Sequence, residues 1–109
     1  MIRNSFVIAD AYAIKNTLLQ IQEQLRTYTD YTEFELQMLI RFLERKKEEN
    51  NDLNTWIGTM YDENTNKEYE WMYRSVANSI VEVFRDSYQL ACDLIHELGQ
   101  RLEKLQNPE

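Results

Sequence analysis

Apolar residues recur along three stretches of this chain at gaps that alternate between three and four residues. The first stretch keeps this alternation without exception and consists of Val7, Ala11, Ile14, Leu18, Ile21, Leu25 and Tyr28. Such spacing places one narrow apolar seam on a helix, and helices with seams of this kind pack side by side. The repeat therefore predicts an all-α fold of packed helices.

The composition also favours long helices over strands. The 109 residues include two glycines and one proline, whereas the tight turns of a β-rich fold need many more of both. The chain is 43% apolar and 28% charged, which is typical of a globular domain. We predict a single helical-bundle domain over residues 1–109.

Two polar segments divide the chain into three predicted helices, over about residues 3–28, 32–61 and 65–105. Thr32–Glu35 and Thr65–Glu68 each have the spacing of a capping box, in which the hydroxyl and the carboxylate bind backbone amides at the start of a helix. Because both turns are short, consecutive helices should be antiparallel.

Two irregularities interrupt the later seams. Lys46 and Asn50 occupy seam positions of the second helix, which we expect to continue because the spacing survives across them. In the third helix, two successive gaps of four meet at Phe84, a stutter that typically marks a change of packing partner. The alternative is a break at Asp86–Ser87, which would give four helices.

The third helix is predicted to be longer than the second. At about 1.5 Å per residue it should extend roughly 16 Å beyond its neighbour. This overhang would leave three leucines without partners in their own chain, and exposed rows of leucine are typical of interfaces. We therefore predict a homodimer, or a groove for a partner, formed by Leu98, Leu102 and Leu105.

Charge and hydropathy limit the classes of partner that this chain is expected to bind. The net charge of −7 repels phosphate backbones and favours a basic protein, so we expect no direct binding of nucleic acid. The longest apolar run, Phe6–Ala9, is too short for a signal peptide or a membrane span. The single cysteine, Cys92, fits a reducing compartment, and we expect a cytoplasmic protein that does not bind membranes.

The residues for catalysis are scarce. Cys92, Asp93 and His96 lie within one helical turn, but one cysteine and one histidine cannot close a tetrahedral zinc site. Any nucleophile would depend on His96, the only histidine, and no glycine-rich phosphate loop is present. We predict no enzymatic activity, no metal and no cofactor.

An aromatic and acidic cluster surrounds the second turn. Aromatic anchors with an acidic rim are typical of binding sites for a basic protein, although some of the rings could instead close the end of the bundle. The predicted partner-binding residues are Trp56, Tyr61, Asp62, Glu63, Glu68, Tyr69, Glu70 and Trp71.

These features favour a protein-binding module over an enzyme. The sequence predicts a small acidic inhibitor of a basic protein target, of the immunity-protein, antitoxin or phage anti-defence type. The alternative is a structural or secretion-associated helical subunit or chaperone that assembles through its C-terminal leucines. Binding to a basic target should weaken in salt, whereas leucine-driven assembly should not.

Overall fold

The structure, a computed structural model, describes the backbone of residues 2–63 and 70–108 and the side chains of residues 8–57 and 79–108. Within these ranges the chain contains no strand and forms three helices, α1 (Ile2–Thr27), α2 (Glu33–Glu63) and α3 (Glu70–Gln106). The predicted all-α bundle of three long helices is therefore confirmed. The predicted start of the third helix at residue 65, with the capping box of Thr65–Glu68, lies outside the described residues.

The three helices form an up-down-up bundle. Gln106 Nε2 donates a hydrogen bond to Glu33 Oε1 at 3.0 Å, which places the end of α3 level with the start of α2. Asn50 and Phe84 meet further along the same pair of helices, so α2 and α3 are antiparallel. Helix α1 runs parallel to α3 and packs more extensively against α3 than against α2.

The predicted capping box starts α2. The Thr32 amide donates to Glu35 Oε1 at 2.9 Å, and the Glu35 amide donates to Thr32 Oγ1 at 3.1 Å. These bonds satisfy two of the amides that have no partner within the first helical turn. The Thr32 amide, followed by the Thr32 hydroxyl, stabilises the ionised carboxylate and holds the pKa of Glu35 below its ordinary value of 4.5.

Five of the seven predicted seam residues of α1 lie in the core, whereas the last, Tyr28, is exposed and the side chain of Val7 lies outside the described residues. The five residues from the middle of its seam, Ala11, Ile14, Leu18, Ile21 and Leu25, are all buried. The core is divided into two clusters along the bundle. The first contains Leu18, Leu43 and Leu98, and the second contains Ile57 and Phe84.

A polar layer lies between the two clusters. Asn50 and Ser87 are the two buried polar residues in the described part of the chain. Asn50 Nδ2 donates to the Phe84 carbonyl at 3.0 Å, but Asn50 Oδ1 and Ser87 Oγ have no hydrogen-bond partner among the described residues. At the edge of the bundle, Lys15 Nζ of α1 lies 3.5 Å from Asp86 Oδ2 of α3.

The stutter predicted at Phe84 is wrong. The buried residues in the described part of α3 are Ile80, Val83, Phe84, Ser87, Ala91, Leu94 and Leu98. Without Val83, which lies beside Phe84, they keep the alternation of four and three through Ser87. Ser87 occupies the seam, and the larger Tyr88 next to it is exposed. The alternative, in which the helix is interrupted at Asp86–Ser87, is also wrong, because α3 is continuous from Glu70 to Gln106.

Arg101 fastens the end of α1 to α3. Its Nη2 donates to the Leu25 carbonyl at 2.7 Å and its Nη1 donates to the Tyr28 carbonyl at 3.2 Å. The carbonyls of a last helical turn have no partner within the helix, so the guanidinium satisfies groups that would otherwise need water. Glu97 Oε1 accepts a third bond from Arg101 Nη2 at 3.1 Å, which holds the guanidinium in place.

Candidate functional site

A groove lies between α1 and α2, on the flank where the bundle is least tightly packed. Its volume is about 590 Å³. Helix α1 contributes Asp10, Ala13, Ile14 and Thr17, and α2 contributes Lys46, Glu49, Asp52, Leu53 and Trp56. The groove arises because α1 leans on α3 more than on α2, and because Ala13 and Thr17 carry short side chains.

The floor of the groove is apolar and belongs to the core. Ile14 is buried in the first cluster, Leu53 packs against both clusters, and Trp56 packs against the second. Leu53 and Trp56 are half-buried, so each shows part of an apolar surface to solvent. An apolar floor between polar walls is the usual make-up of a protein-binding surface.

The rim of the groove is acidic. Among the described residues that line it, Asp10, Glu49 and Asp52 contribute carboxylates and Lys46 alone contributes an ammonium. Lys46 Nζ pairs with Glu49 Oε2 at 3.1 Å and lies 5.2 Å from the centre of the Phe42 ring. Asp10 and Asp52 have no ion-pair partner among the described residues, so their charge dominates the field that a ligand meets.

Of the predicted aromatic and acidic cluster, the structure describes one side chain, that of Trp56, which lies at one end of this groove. The side chains of Tyr61, Asp62, Glu63, Glu70 and Trp71 lie outside the described residues. The same is true of Glu68 and Tyr69, whose backbone is also not described. Their role in partner binding stays a prediction.

The overhang predicted for the C-terminal leucines is wrong. Leu98 is fully buried in the first cluster, and Leu102 is half-buried against the same cluster. The length comparison omitted α1, whose last turn is held against α3 by Arg101. Of the three leucines, Leu105 is 50% exposed and half-buried Leu102 shows part of its side chain to solvent, whereas Leu98 is a core residue and not part of a dimer surface. Homodimerisation itself stays a prediction.

A second apolar surface lies at the turn between α1 and α2. Phe34 is 69% exposed and Met38, one helical turn later, is 44% exposed. Tyr28, whose ring packs edge-on against Tyr31 with centroids 4.6 Å apart, is also exposed. Leu105 is at the same end of the bundle, where it borders a depression with Tyr31 and Leu36.

The three side chains within one helical turn that could be considered as metal ligands, Cys92, Asp93 and His96, lie on the outer side of α3. Cys92 is half-buried, while Asp93 and His96 are exposed. Asp93 Oδ1 accepts a hydrogen bond from Gln89 Nε2 at 2.9 Å. In the part of the chain that the structure describes, no three His, Cys, Asp or Glu side chains group closely enough to hold a metal ion.

Comparison of the chain with family models, with curated proteins and with solved structures finds no match. Across the described ranges, no helix combines the length and the apolar character that crossing a bilayer requires.

The groove was largely missed in the sequence. Of its residues only Trp56 was predicted to bind a partner, because acidic side chains on a helix usually face solvent with no further role. Glu49 and Asp52 do flank Leu53 and Trp56 on one side of α2, and Ala13 and Thr17 are short neighbours of the α1 seam. Those are the signals by which a groove between the two helices could have been found.

Proposed function

We propose that this protein acts by binding a basic segment of another protein and has no catalytic activity of its own. The observation that supports the proposal is the α1–α2 groove, in which the carboxylates of Asp10 and Asp52 flank the apolar surface of Leu53 and Trp56. Neither carboxylate has an ion-pair partner in the part of the chain that the structure describes. Complementary charge at such a rim speeds encounter and selects the partner, and burial of the apolar floor supplies affinity.

The proposed module is a small inhibitor of the immunity-protein, antitoxin or phage anti-defence type. Such an inhibitor needs a surface that matches its target, and no reactive groups. An acidic chain with a net charge of −7 suits a target that presents a basic surface for a nucleic acid or another polyanion. Occupation of that surface by the groove would block the target.

The test compares two variants with equal changes in charge. The Asp10→Asn, Asp52→Asn variant removes both carboxylates from the groove. Its control, Glu44→Gln with Glu48→Gln, removes two carboxylates from another surface of α2, beside Arg41. Wild type and both variants are immobilised, incubated with lysate of the source cells, and their bound proteins identified by mass spectrometry.

We expect basic proteins that wild type and the control retain and the groove variant loses, and we expect their release at high salt. Equal retention by all three proteins would contradict the role of the groove. Equal loss from both variants would show that the net charge, rather than this site, determines binding.

The alternative function is that of a structural or secretion-associated subunit or chaperone that assembles through apolar contacts. The exposed side chains of Phe34, Met38 and Leu105 support it. Assembly of this kind should persist in high salt and should be lost in a Phe34→Ser, Leu105→Ser variant. Light scattering after size-exclusion chromatography distinguishes this outcome from a monomer that binds a basic protein.

A further inference from the structure

We infer that the α1–α2 groove receives a single basic amphipathic helix of the partner protein, which lies in it as a fourth helix of the bundle. This inference rests on the proposed function and adds the form, the side-chain pattern and the direction of the bound segment. It depends on the shape of the groove walls, the placement of the carboxylates and the change of charge along the groove.

The walls favour a helix over an extended segment. Both are helices whose backbone amides and carbonyls already bond to one another, so they present side chains alone. An extended peptide would find no sheet edge to satisfy its backbone, whereas a helix satisfies its own. The groove runs from Lys46 to Trp56 on α2, which is about 15 Å and therefore about three turns of a bound helix.

The floor allows a helix to approach closely. Ala13 and Thr17 are one turn apart on α1 and carry short side chains, and packed helices come to within about 8–10 Å only where the contacting side chains permit. Ile14, Leu53 and Trp56 supply the apolar surface beneath. The bound helix should therefore present apolar side chains at intervals of three and four residues, the pattern that fills helical grooves.

The carboxylates predict basic residues on both sides of that apolar stripe. Asp10 lies on the α1 wall and Asp52 on the α2 wall. Lysine and arginine can lay their carbon stems along an apolar floor and place their charges at the rim. The indole of Trp56 at this end of the groove offers a further contact for a cation.

The direction of the bound helix follows from the charge along the groove. The end near Asp10, Asp52 and Trp56 is acidic, while at the other end Lys46 neutralises Glu49. The amino terminus of a helix carries a partial positive charge and its carboxyl terminus a partial negative charge. The partner helix should thus begin at the acidic end and run parallel to α1.

The test uses three synthetic peptides of the same length and net charge. The first is a helix of about 14 residues of leucine, lysine and alanine, with leucines on one face and lysines on both flanks. The second has the same residues in an order that forms no apolar face. The third keeps the first order but exchanges a central alanine for proline, which breaks the helix. Dissociation constants are measured by isothermal titration calorimetry.

We expect the amphipathic helix to bind at least about tenfold more tightly than either control peptide. Ala13→Trp should weaken this binding at least about tenfold by filling the groove without a change of charge. Leu19→Trp, at an exposed position on another side of α1, should leave it unchanged. Asp52→Lys provides a second variant that should lose binding through charge.

Orientation is read from a nitroxide at the amino terminus of the peptide. It should broaden the amide resonances of Asp10 and Trp56 more strongly than those of Thr17 and Lys46; the reverse pattern would overturn the proposed direction. Equal affinity of the three peptides, or normal binding to Ala13→Trp, would overturn the helical occupant. A wild-type dimer that Ala13→Trp dissociates would also overturn it, because the occupant would then be a second copy of this chain.

Failure of this inference can be distinguished from failure of the proposed function. If the amphipathic helix does not bind but the Asp10→Asn, Asp52→Asn variant still loses captured basic proteins, the groove binds a partner in another form. If the amphipathic helix does not bind and the Asp10→Asn, Asp52→Asn variant still captures the same proteins as wild type, the groove is not the binding site. That result would contradict both the proposed function and this inference.

Discussion

The polar layer between the two core clusters should limit the stability of the bundle, and Asn50→Leu tests this. Asn50 lies at a seam position of α2, and its Oδ1 is buried without a partner among the described residues. A buried polar atom without a hydrogen bond costs about 1–3 kcal/mol. Leucine has a similar size and would extend the apolar contacts between the two clusters.

The magnitude follows from three contributions. Burial of a leucine side chain contributes about 1.5–3 kcal/mol, and the penalty for the unpartnered oxygen disappears. The lost hydrogen bond from Asn50 Nδ2 to the Phe84 carbonyl costs about 1 kcal/mol. That carbonyl keeps its helical partner within α3, so it does not become unsatisfied. Allowing for imperfect packing of the new side chain, we expect a net stabilisation of about 1–3 kcal/mol.

The assay is urea unfolding followed by circular dichroism, with thermal unfolding beside it. The melting temperature should rise by roughly 5–20 °C for a domain of this size. Asn51→Leu is the matched control, because Asn51 is the exposed neighbour and its replacement should change the free energy of unfolding by less than about 0.5 kcal/mol. An Asn50→Leu protein no more stable than wild type would refute the reasoning and show that the layer is satisfied.

Three further outcomes are expected. Arg101→Ala should lower the free energy of unfolding by about 1–3 kcal/mol, because it removes the charge-assisted hydrogen bonds to the Leu25 and Tyr28 carbonyls. The exposed Arg26→Ala should change it by less than about 0.5 kcal/mol in the same urea titration, and equal effects of the two variants would contradict the role of Arg101. Thr32→Ala should cost about 1 kcal/mol and return the pKa of Glu35, followed by carbon NMR, towards 4.5. Because that pKa is lowered in the folded protein, the stabilisation from Glu35 is complete above its ordinary pKa and is lost as the pH falls through the lowered value. Thr32→Ala keeps the backbone amide that binds Glu35, so the pKa should rise only in part, and an unchanged free energy of unfolding would be inconsistent with the capping box. Leu98→Ala should lower the free energy of unfolding by about 2–5 kcal/mol, because it opens a cavity in the core. The molecular mass in solution, measured by light scattering, should stay the same. A changed mass at unchanged stability would instead place Leu98 in a dimer interface.

The sequence was most informative where one helix specifies its own face. The spacing of the α1 seam identified five core residues from Ala11 to Leu25, because the period of a helix alone determines which side chains share a side. The capping box at Thr32 was equally readable, since both partners lie within one turn. Features of this kind need no knowledge of the neighbouring helices.

The errors arose where the packing of several helices decides the outcome. Ser87 is polar, so the apolar pattern assigns the seam position of α3 to its neighbour Tyr88. This assignment produced the apparent stutter. The overhang came from a comparison of α2 with α3 alone, although α1 covers Leu98. The groove depends on the distance between α1 and α2. The spacing of residues along either helix does not predict that distance.

The clamp formed by Arg101 bears on the order in which the chain can fold. Its bonds reach the Leu25 and Tyr28 carbonyls across 76 and 73 residues of sequence, and α1 finds most of its packing on α3. During synthesis α1 emerges first, but the surface that holds it is made last, while α2 and α3 can pair as neighbours. The α1–α2 groove would then take shape only after Arg101 has left the ribosome, so a nascent chain could not bind a partner in this groove until all three helices have been made.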